Sequence, residues 1–335
     1  MVYKALITGC SGPELTADER AFIRDVRPCG VILFARNCQT REQISKLTGD
    51  ARESAGSDDF LVLVDQEGGR VQRMRPPEWR KYPPARVFAQ LHKENPKKAF
   101  KAVHAVTRLM AADLHEVGIN VDCAPVLDVP APRAHDIIGD RAYGDNSETI
   151  IDLARVVADA FLEGGVLPVI KHIPGHGRAR SDSHKALPVI EANLDELAGS
   201  DFMPFKALND LPLAMTAHVV LKTLDEDAPA SVSALIIDQV IRSLIGFDGL
   251  LMSDDLDMAA LKGSLPERAA DVIAAGCDVV LQCSGKLGDA ECVADAVPVL
   301  VGKSLARYEA ALARLSKPIP FDESQALGIL EQIQA

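Results

Sequence analysis

The chain has 335 residues, with 36 Lys plus Arg against 48 Asp plus Glu and a formal net charge of −12. That balance speaks against nucleic acid or an anionic membrane as a partner, since both require basic patches. The 47% hydrophobic fraction supplies a substantial core, and no apolar run reaches the ~20 residues of a membrane span.

The opening MVYKALITGC has too little apolar length for the ~7–15-residue core of a secretion signal and reads as a first strand. Short apolar runs then recur at 5–7, 31–34, 61–64, 121–126, 166–170, 213–215, 250–252 and 279–281. Each is rich in β-branched residues or flanked by Gly or Pro, as strands buried in a parallel sheet are. Helical patterns lie between them. Thr16 with Glu19, Thr40 with Gln43, Asn193 with Glu196 and Ser264 with Glu267 are candidate capping boxes, and 233–244 and 267–275 read as amphipathic helices. The stretch 70–98, with Pro76, Pro77, Pro83, Pro84 and the sole Trp79, is expected to be a long irregular loop after the third strand. The tail beyond Ser304 is expected to form helices on the outside. Eight strands alternating with helices predict a (β/α)8 TIM-type barrel, with 1–335 as a single domain. Nearly every run ends in polar residues, among them Asp65, Asp128, Lys171, His172, His218, Asp254 and Gln282. In such a barrel these ends converge on one pocket. Seven scattered cysteines without a CxxC pair read as free thiols in a reducing cytosol, so a cytoplasmic location is expected.

The most charged irregular stretch is KHIPGHGRARSDSH, 171–184, which directly follows an apolar run. Pro174, Gly175 and Gly177 prevent a regular helix. Ionisable groups gathered on such a segment point to a ligand or to chemistry rather than to a solvated loop. Lys171 can act as a fixed cation for hydroxyls, or lie along apolar surface with its head in water. His172 and His176 have the helical spacing of a metal pair. Pro174 and Gly175 lie between them and no Glu follows His172, so no metal site is expected. Asp182 and His184 share one face of an extended segment. There the carboxylate can orient the imidazole and favour its protonated form, giving a general acid near neutral pH. A polar turn is the alternative.

Asp254 and Asp255 are adjacent, so on a strand at most one faces a given substrate atom. Asp254 is the candidate nucleophile, while Asp255 can cap the segment 256–261. Asp65 precedes Gln66, Glu67, Gly68, Gly69 and Arg70. The glycines suit a tight turn with close ligand approach, and the carboxylate can accept two sugar hydroxyls. Ion pairs from Asp65 or Glu67 to Arg70 or Arg73 are the structural alternative, weightier for Glu67. Arg141, ahead of a helix starting near Ser147, can meet an anion or hydroxyls, or sit at the surface. There is no Walker A loop and no GxGxxG after a strand, so no nucleotide cofactor is expected.

Taken together, VDQEGGRVQR (64–73), GDRAYG (139–144), KHIPGHG (171–177), DSH (182–184), MTAHV (215–219) and SDDLDM (253–258) resemble glycoside hydrolase family 3. More narrowly, they resemble its bacterial β-N-acetylhexosaminidases of the cell-wall recycling type. Ile173 stands where family members more often have Phe. The resemblance implies a retaining exo-β-N-acetylglucosaminidase acting on N-acetylglucosaminyl anhydromuropeptides in the cytoplasm, without metal or cofactor. Asp254 would be the nucleophile that forms a glycosyl-enzyme intermediate, and His184 the acid/base held by Asp182. Asp65, Arg141, Lys171 and His172 would bind the N-acetylglucosamine. The loop 177–184 would carry the dyad over the sugar. A monomer is expected. The alternatives are a phosphorylase acting on the same bond, a variant in which the substrate's acetamido group is the nucleophile, a non-catalytic sugar-binding barrel and a metal-dependent hydrolase.

Overall fold

A computed structural model describes residues 2–132, 134–181, 183 and 187–334. Eight parallel strands close into the expected barrel: β1 (Lys4–Gly9), β2 (Pro28–Leu33), β3 (Leu61–Val64), β4 (Val121–Asp122), β5 (Leu167–Ile173), β6 (Leu213–Thr216), β7 (Leu250–Asp255) and β8 (Val279–Gln282). Strands consecutive in sequence are neighbours in space, and β8 closes on β1. Every residue of β2, β3, β5 and β8 is buried. Such strands face side chains inside the barrel and helices outside it, which explains unbroken apolar runs in place of alternation.

Helix entries follow the capping chemistry. Thr16 and Glu19 form a reciprocal box ahead of Ala17–Val26, as do Asn193 with Glu196, while at Ser264 both the backbone N–H and the hydroxyl donate to the Glu267 carboxylate. Thr40 accepts from Gln43 N, but the Gln43 side chain turns instead to Gln39 N and to the carbonyls of Pro13 and Asn37. The amphipathic stretch expected over 233–244 winds as a π-helix, Ile236–Ile245. The tail forms helices Gly302–Leu312 and Glu323–Gln334 on the outside, the second packed on Pro96–Glu116.

The stretch 70–98 is more ordered than expected. Gln66–Gly68 and Val71–Gln72 pair as a small antiparallel hairpin, Ala85–Glu94 is a helix, and Pro96–Glu116 begins inside the stretch. Two of its prolines sit where a missing N–H costs nothing. Pro84 is the N-cap of one helix, and Pro96 lies in the first turn of the next. The fourth strand ends at Asp122, short of the expected 126, where Ala124 N turns back to the Asp122 carbonyl at 2.8 Å. Its backbone nevertheless continues beside β5, with Val169 N and Lys171 N donating to the carbonyls of Ala124 and Pro125. Among the described residues no helix is long and apolar enough to cross a membrane.

Two glycines fix the loops above the barrel. Gly68 has φ +88°, and a Cβ there would lie 2.3 Å from Pro83 O. The close approach expected at this turn is therefore to the chain itself. A Cβ on Gly177 would lie 2.0 Å from Val129 O and 2.4 Å from Val129 C. Both are backbone atoms that no rotamer change can move aside. Gly177→Ala is expected to cost about 1–3 kcal/mol in urea unfolding, as overpacking does. An unchanged midpoint would show that the contact with the 129–131 backbone is not tight.

Candidate active site

A cavity of about 370 Å³ opens at the C-terminal ends of the strands, within the range of small-ligand pockets. Asp65, Arg141, Lys171, His172 and Asp254 all line it, together with Arg73, His176 and Ser183. Five of the seven expected site residues therefore meet in one space. The other two, Asp182 and His184, lie outside the described residues.

One wall is ionic. Lys171, 2% exposed, donates to Asp65 Oδ1 at 2.8 Å and reaches Glu67 Oε1 at 2.6 Å. Asp65 Oδ2 accepts from Arg73 Nη2 at 2.9 Å. Arg141 grips Glu67 with two parallel bonds of 2.8 Å, the bidentate geometry a guanidinium favours. Burial opposes ionisation of both carboxyls, but the cations outweigh it. Lys171 and Arg73 hold Asp65 well below the ordinary carboxylate range. Arg141 and Lys171 bring Glu67 down to about 2. Burial likewise works against the charge on Lys171, and the facing carboxylates overturn it and raise its pKa. The expected pairing of Asp65 with Arg73 is present. Glu67 pairs with Arg141 and Lys171, while Arg70 turns to Asp140 at 3.0 Å. Both Glu67 partners are remote in sequence, which is why local spacing misassigned it. Arg141 is a cavity residue and not a surface one.

The cavity is also lined by a histidine pair built on Asp128, which is 0% exposed. Its Oδ2 accepts from His172 Nδ1 at 2.7 Å, and its Oδ1 from the backbone N–H groups of His172 at 3.3 Å and His176 at 2.6 Å. Burial alone would raise the carboxyl, but His172 beside it keeps it below its usual value. The bond at Nδ1 leaves His172 Nε2 as the ring's remaining polar atom. Sequence reasoning noted Asp128 as a polar strand end without giving it a role. Buried Asp plus a downstream His pair was the available signal. Among the described residues no group of three His, Cys, Asp or Glu side chains is placed to hold a metal.

At the end of β7 both aspartates line the cavity, but they differ. Asp255 Oδ1 accepts from the backbone N–H of Asp257 at 3.1 Å and of Cys283 at 3.2 Å. It caps a turn and not a helix, since 256–261 is a run of turns. Burial pushes its carboxyl up to about 6. Asp254 is half-buried, and its Oδ1 accepts from Asp255 N at 2.8 Å. Beneath them the buried His218 links Ser231 Oγ at 2.6 Å to the Asp255 carbonyl at 3.1 Å. It braces the strand end without lining the cavity. Phe34, Ile32, Met215 and Leu281 are among the apolar residues of the lining. The lining thus brings buried fixed charges and half-buried carboxylates together with apolar groups in one space.

The model of the glycosyl hydrolase family 3 N-terminal domain matches residues 6–317. A β-hexosaminidase of Alkalilimnicola ehrlichii is 39% identical over 288 residues, which is 85% of this chain and 82% of that protein. One from Idiomarina loihiensis is 34% identical over 333 residues, 98% of each. The crystal structure of NagZ from Neisseria gonorrhoeae in complex with N-trifluoroacetyl-D-glucosamine shares 29% identity, covers 100% of this chain and 99% of its own, and superposes with a TM-score of 0.90.

Proposed function

The chain belongs to glycosyl hydrolase family 3, as a β-N-acetylhexosaminidase-type glycoside hydrolase, and on that premise we propose that it is a retaining exo-β-N-acetylglucosaminidase. The observation that carries the reading is the meeting of Asp254 with Asp65, Arg141, Lys171 and His172 in one cavity. Asp65, Lys171, Arg141 and His172 bind the N-acetylglucosamine and fix its anomeric carbon over Asp254. The Asp254 carboxylate attacks that carbon while the bond to the leaving oxygen breaks and His184, as imidazolium, gives that oxygen its proton. A β-glycoside thus becomes an α-linked glycosyl ester on Asp254. His184, now neutral, takes a proton from water, whose oxygen displaces Asp254 and restores the β configuration. Asp255 is a poor second nucleophile, because its Oδ1 is committed to two backbone donors.

The natural substrate in this reading is a terminal β-linked N-acetylglucosamine on an anhydromuropeptide. In the same reading it is handled in the cytoplasm by a monomer. The seven unpaired cysteines support a reducing compartment. Hydrolysis of an aryl β-N-acetylglucosaminide by the purified protein, with β-N-acetylglucosamine as the first product by NMR, tests the reading. An α product removes the retaining mechanism, and no hydrolysis removes the activity. His184→Ala is expected to lose about 10²-fold or more in kcat on substrates with poor leaving groups. It should lose far less on 2,4-dinitrophenyl glycosides, which depart without a proton. Equal losses on both would remove His184 from the acid role.

A further inference from the structure

The strand that carries Asp254 leaves the barrel ladder just before it. The last pairing of β7 with β6 is Met252 with Met215. On the other side β7 pairs Met252 with Val279 and then Asp255 with Leu281, so three steps of β7 oppose two of β8. That mismatch is a bulge around Ser253 and Asp254, the device by which a strand re-aims a side chain. A bulged strand end lacks the evenly spaced bonds of a parallel ladder, and other groups must hold it. Toward β8, Ser253 Oγ accepts from Leu281 N at 3.1 Å, and Leu256 N donates to Leu281 O at 2.9 Å. From the β6 side it is His218, two positions past the end of that strand, that reaches across.

His218 and Ser231 are both 0% exposed. The Asp255 carbonyl can only accept, so His218 Nε2 carries the proton and donates to it at 3.1 Å. Burial holds the ring's pKa below its usual value and keeps it neutral, which leaves Nδ1 as an acceptor. Ser231 Oγ donates there at 2.6 Å and so selects the tautomer. Asp255 in turn gives its N–H to Asp254 Oδ1 at 2.8 Å. A chain of bonds therefore runs from Ser231 through His218 and the backbone of Asp255 to the Asp254 carboxylate.

We propose that His218 is a positioning residue that aims the Asp254 carboxylate at the anomeric carbon, acting through the backbone of Asp255, and that Ser231 fixes the tautomer it needs. The inference rests on the function proposed above. A misplacement of ~1 Å can cost a reaction about 10²-fold with every reacting group still present. The effect falls on attack by Asp254 and not on protonation of the leaving oxygen, so it is blind to the leaving group.

The test is kcat/KM on two N-acetylglucosaminides, one with an alkyl leaving group and one with 2,4-dinitrophenol, beside the rate at which a 5-fluoro glycosyl fluoride labels Asp254. The final extent of labelling, read by mass spectrometry, counts the correctly folded chains. His218→Leu is expected to lower both kcat/KM values and the labelling rate by about tenfold or more and to a similar degree, while labelling still goes to completion. His218→Gln, which keeps an N–H within reach of the Asp255 carbonyl, should stay within about threefold of wild type on all three measures. Ser231→Ala spares the ring, should lower all three about fivefold or more, and decides the matter if His218→Leu does not fold. Wild-type labelling rates in Ser231→Ala or in a folded His218→Leu overturn the positioning role. So does a loss explained by fewer labelled chains, a loss confined to the alkyl leaving group, or a His218→Gln no better than His218→Leu. If wild type hydrolyses neither substrate, or is labelled on a residue other than Asp254, the parent reading has failed and takes this inference with it. Wild type labelled on Asp254 beside an unaffected His218→Leu sinks the positioning role only.

Discussion

Asp254→Ala is expected to lower kcat on an aryl β-N-acetylglucosaminide by about 10³-fold or more, equivalent to ~4 kcal/mol of lost transition-state stabilisation. The expectation follows from position and not from residue type alone. Two carboxyls end β7, and Asp255 is tied to the N–H groups of Asp257 and Cys283. Asp254 is half-buried at the cavity that holds the ionic wall, so its removal deletes the proposed attacking group, with the fold of the variant checked by circular dichroism. Azide added to the variant should restore turnover and yield the α-glycosyl azide, since the small anion takes the vacated position. In wild type, a 2-fluoro or 5-fluoro glycosyl trap should leave its mass on Asp254. A trapped mass on another residue, or wild-type turnover in the variant, would end the assignment. Absence of any adduct, together with residual activity that depends on the acetamido group, would favour the substrate's own nucleophile.

The second large effect is expected at Lys171. Lys171→Met keeps the length of the side chain and removes the cation between Asp65 and Glu67. Breaking a buried ion pair from one side typically costs about 3–5 kcal/mol, because a desolvated charge is left behind. Here two carboxylates lose a partner, although Arg73 and Arg141 still hold one each. The pH dependence has a definite sign. Glu67 lies at about 2 in the folded protein and Asp65 is likewise held well below the ordinary carboxylate range. Their contribution is therefore present above the unfolded value of ~4.3 and is lost as pH falls toward 2. Wild type and Lys171→Met should differ most in urea unfolding at neutral pH and converge below about pH 4. A variant that unfolds at the wild-type midpoint at pH 7 would show that the wall does not depend on this lysine.

Much of this was legible in the chain because barrel strands buried on both faces leave an unmistakable trace. Runs such as LVLV at Leu61–Val64 and VVLQ at Val279–Gln282 end in, or just before, polar groups. Whatever follows such a run lies on the ligand face. Asp65, Lys171, His172 and Asp254 were found by that rule, and Arg141 through the motif around it. What remained hidden depends on juxtaposition. Glu67 meets Arg141, 74 positions away, and Asp128 meets His172 across 44. No local spacing encodes either partnership. The proline-rich stretch misled for a different reason. Proline disrupts a helix interior but is at home at its start, and the linear sequence does not say which place each one occupies.

The ionic wall also bears on which molecule completes the reaction. Among the described cavity residues, Arg70, Arg73, Arg141 and Lys171 each already face a carboxylate of the protein itself. An incoming inorganic dianion would meet cations whose charge these carboxylates already offset, and would add its own repulsion from Asp65 and Glu67. Water brings no such charge, which favours hydrolysis over phosphorolysis of the same linkage in the proposed function.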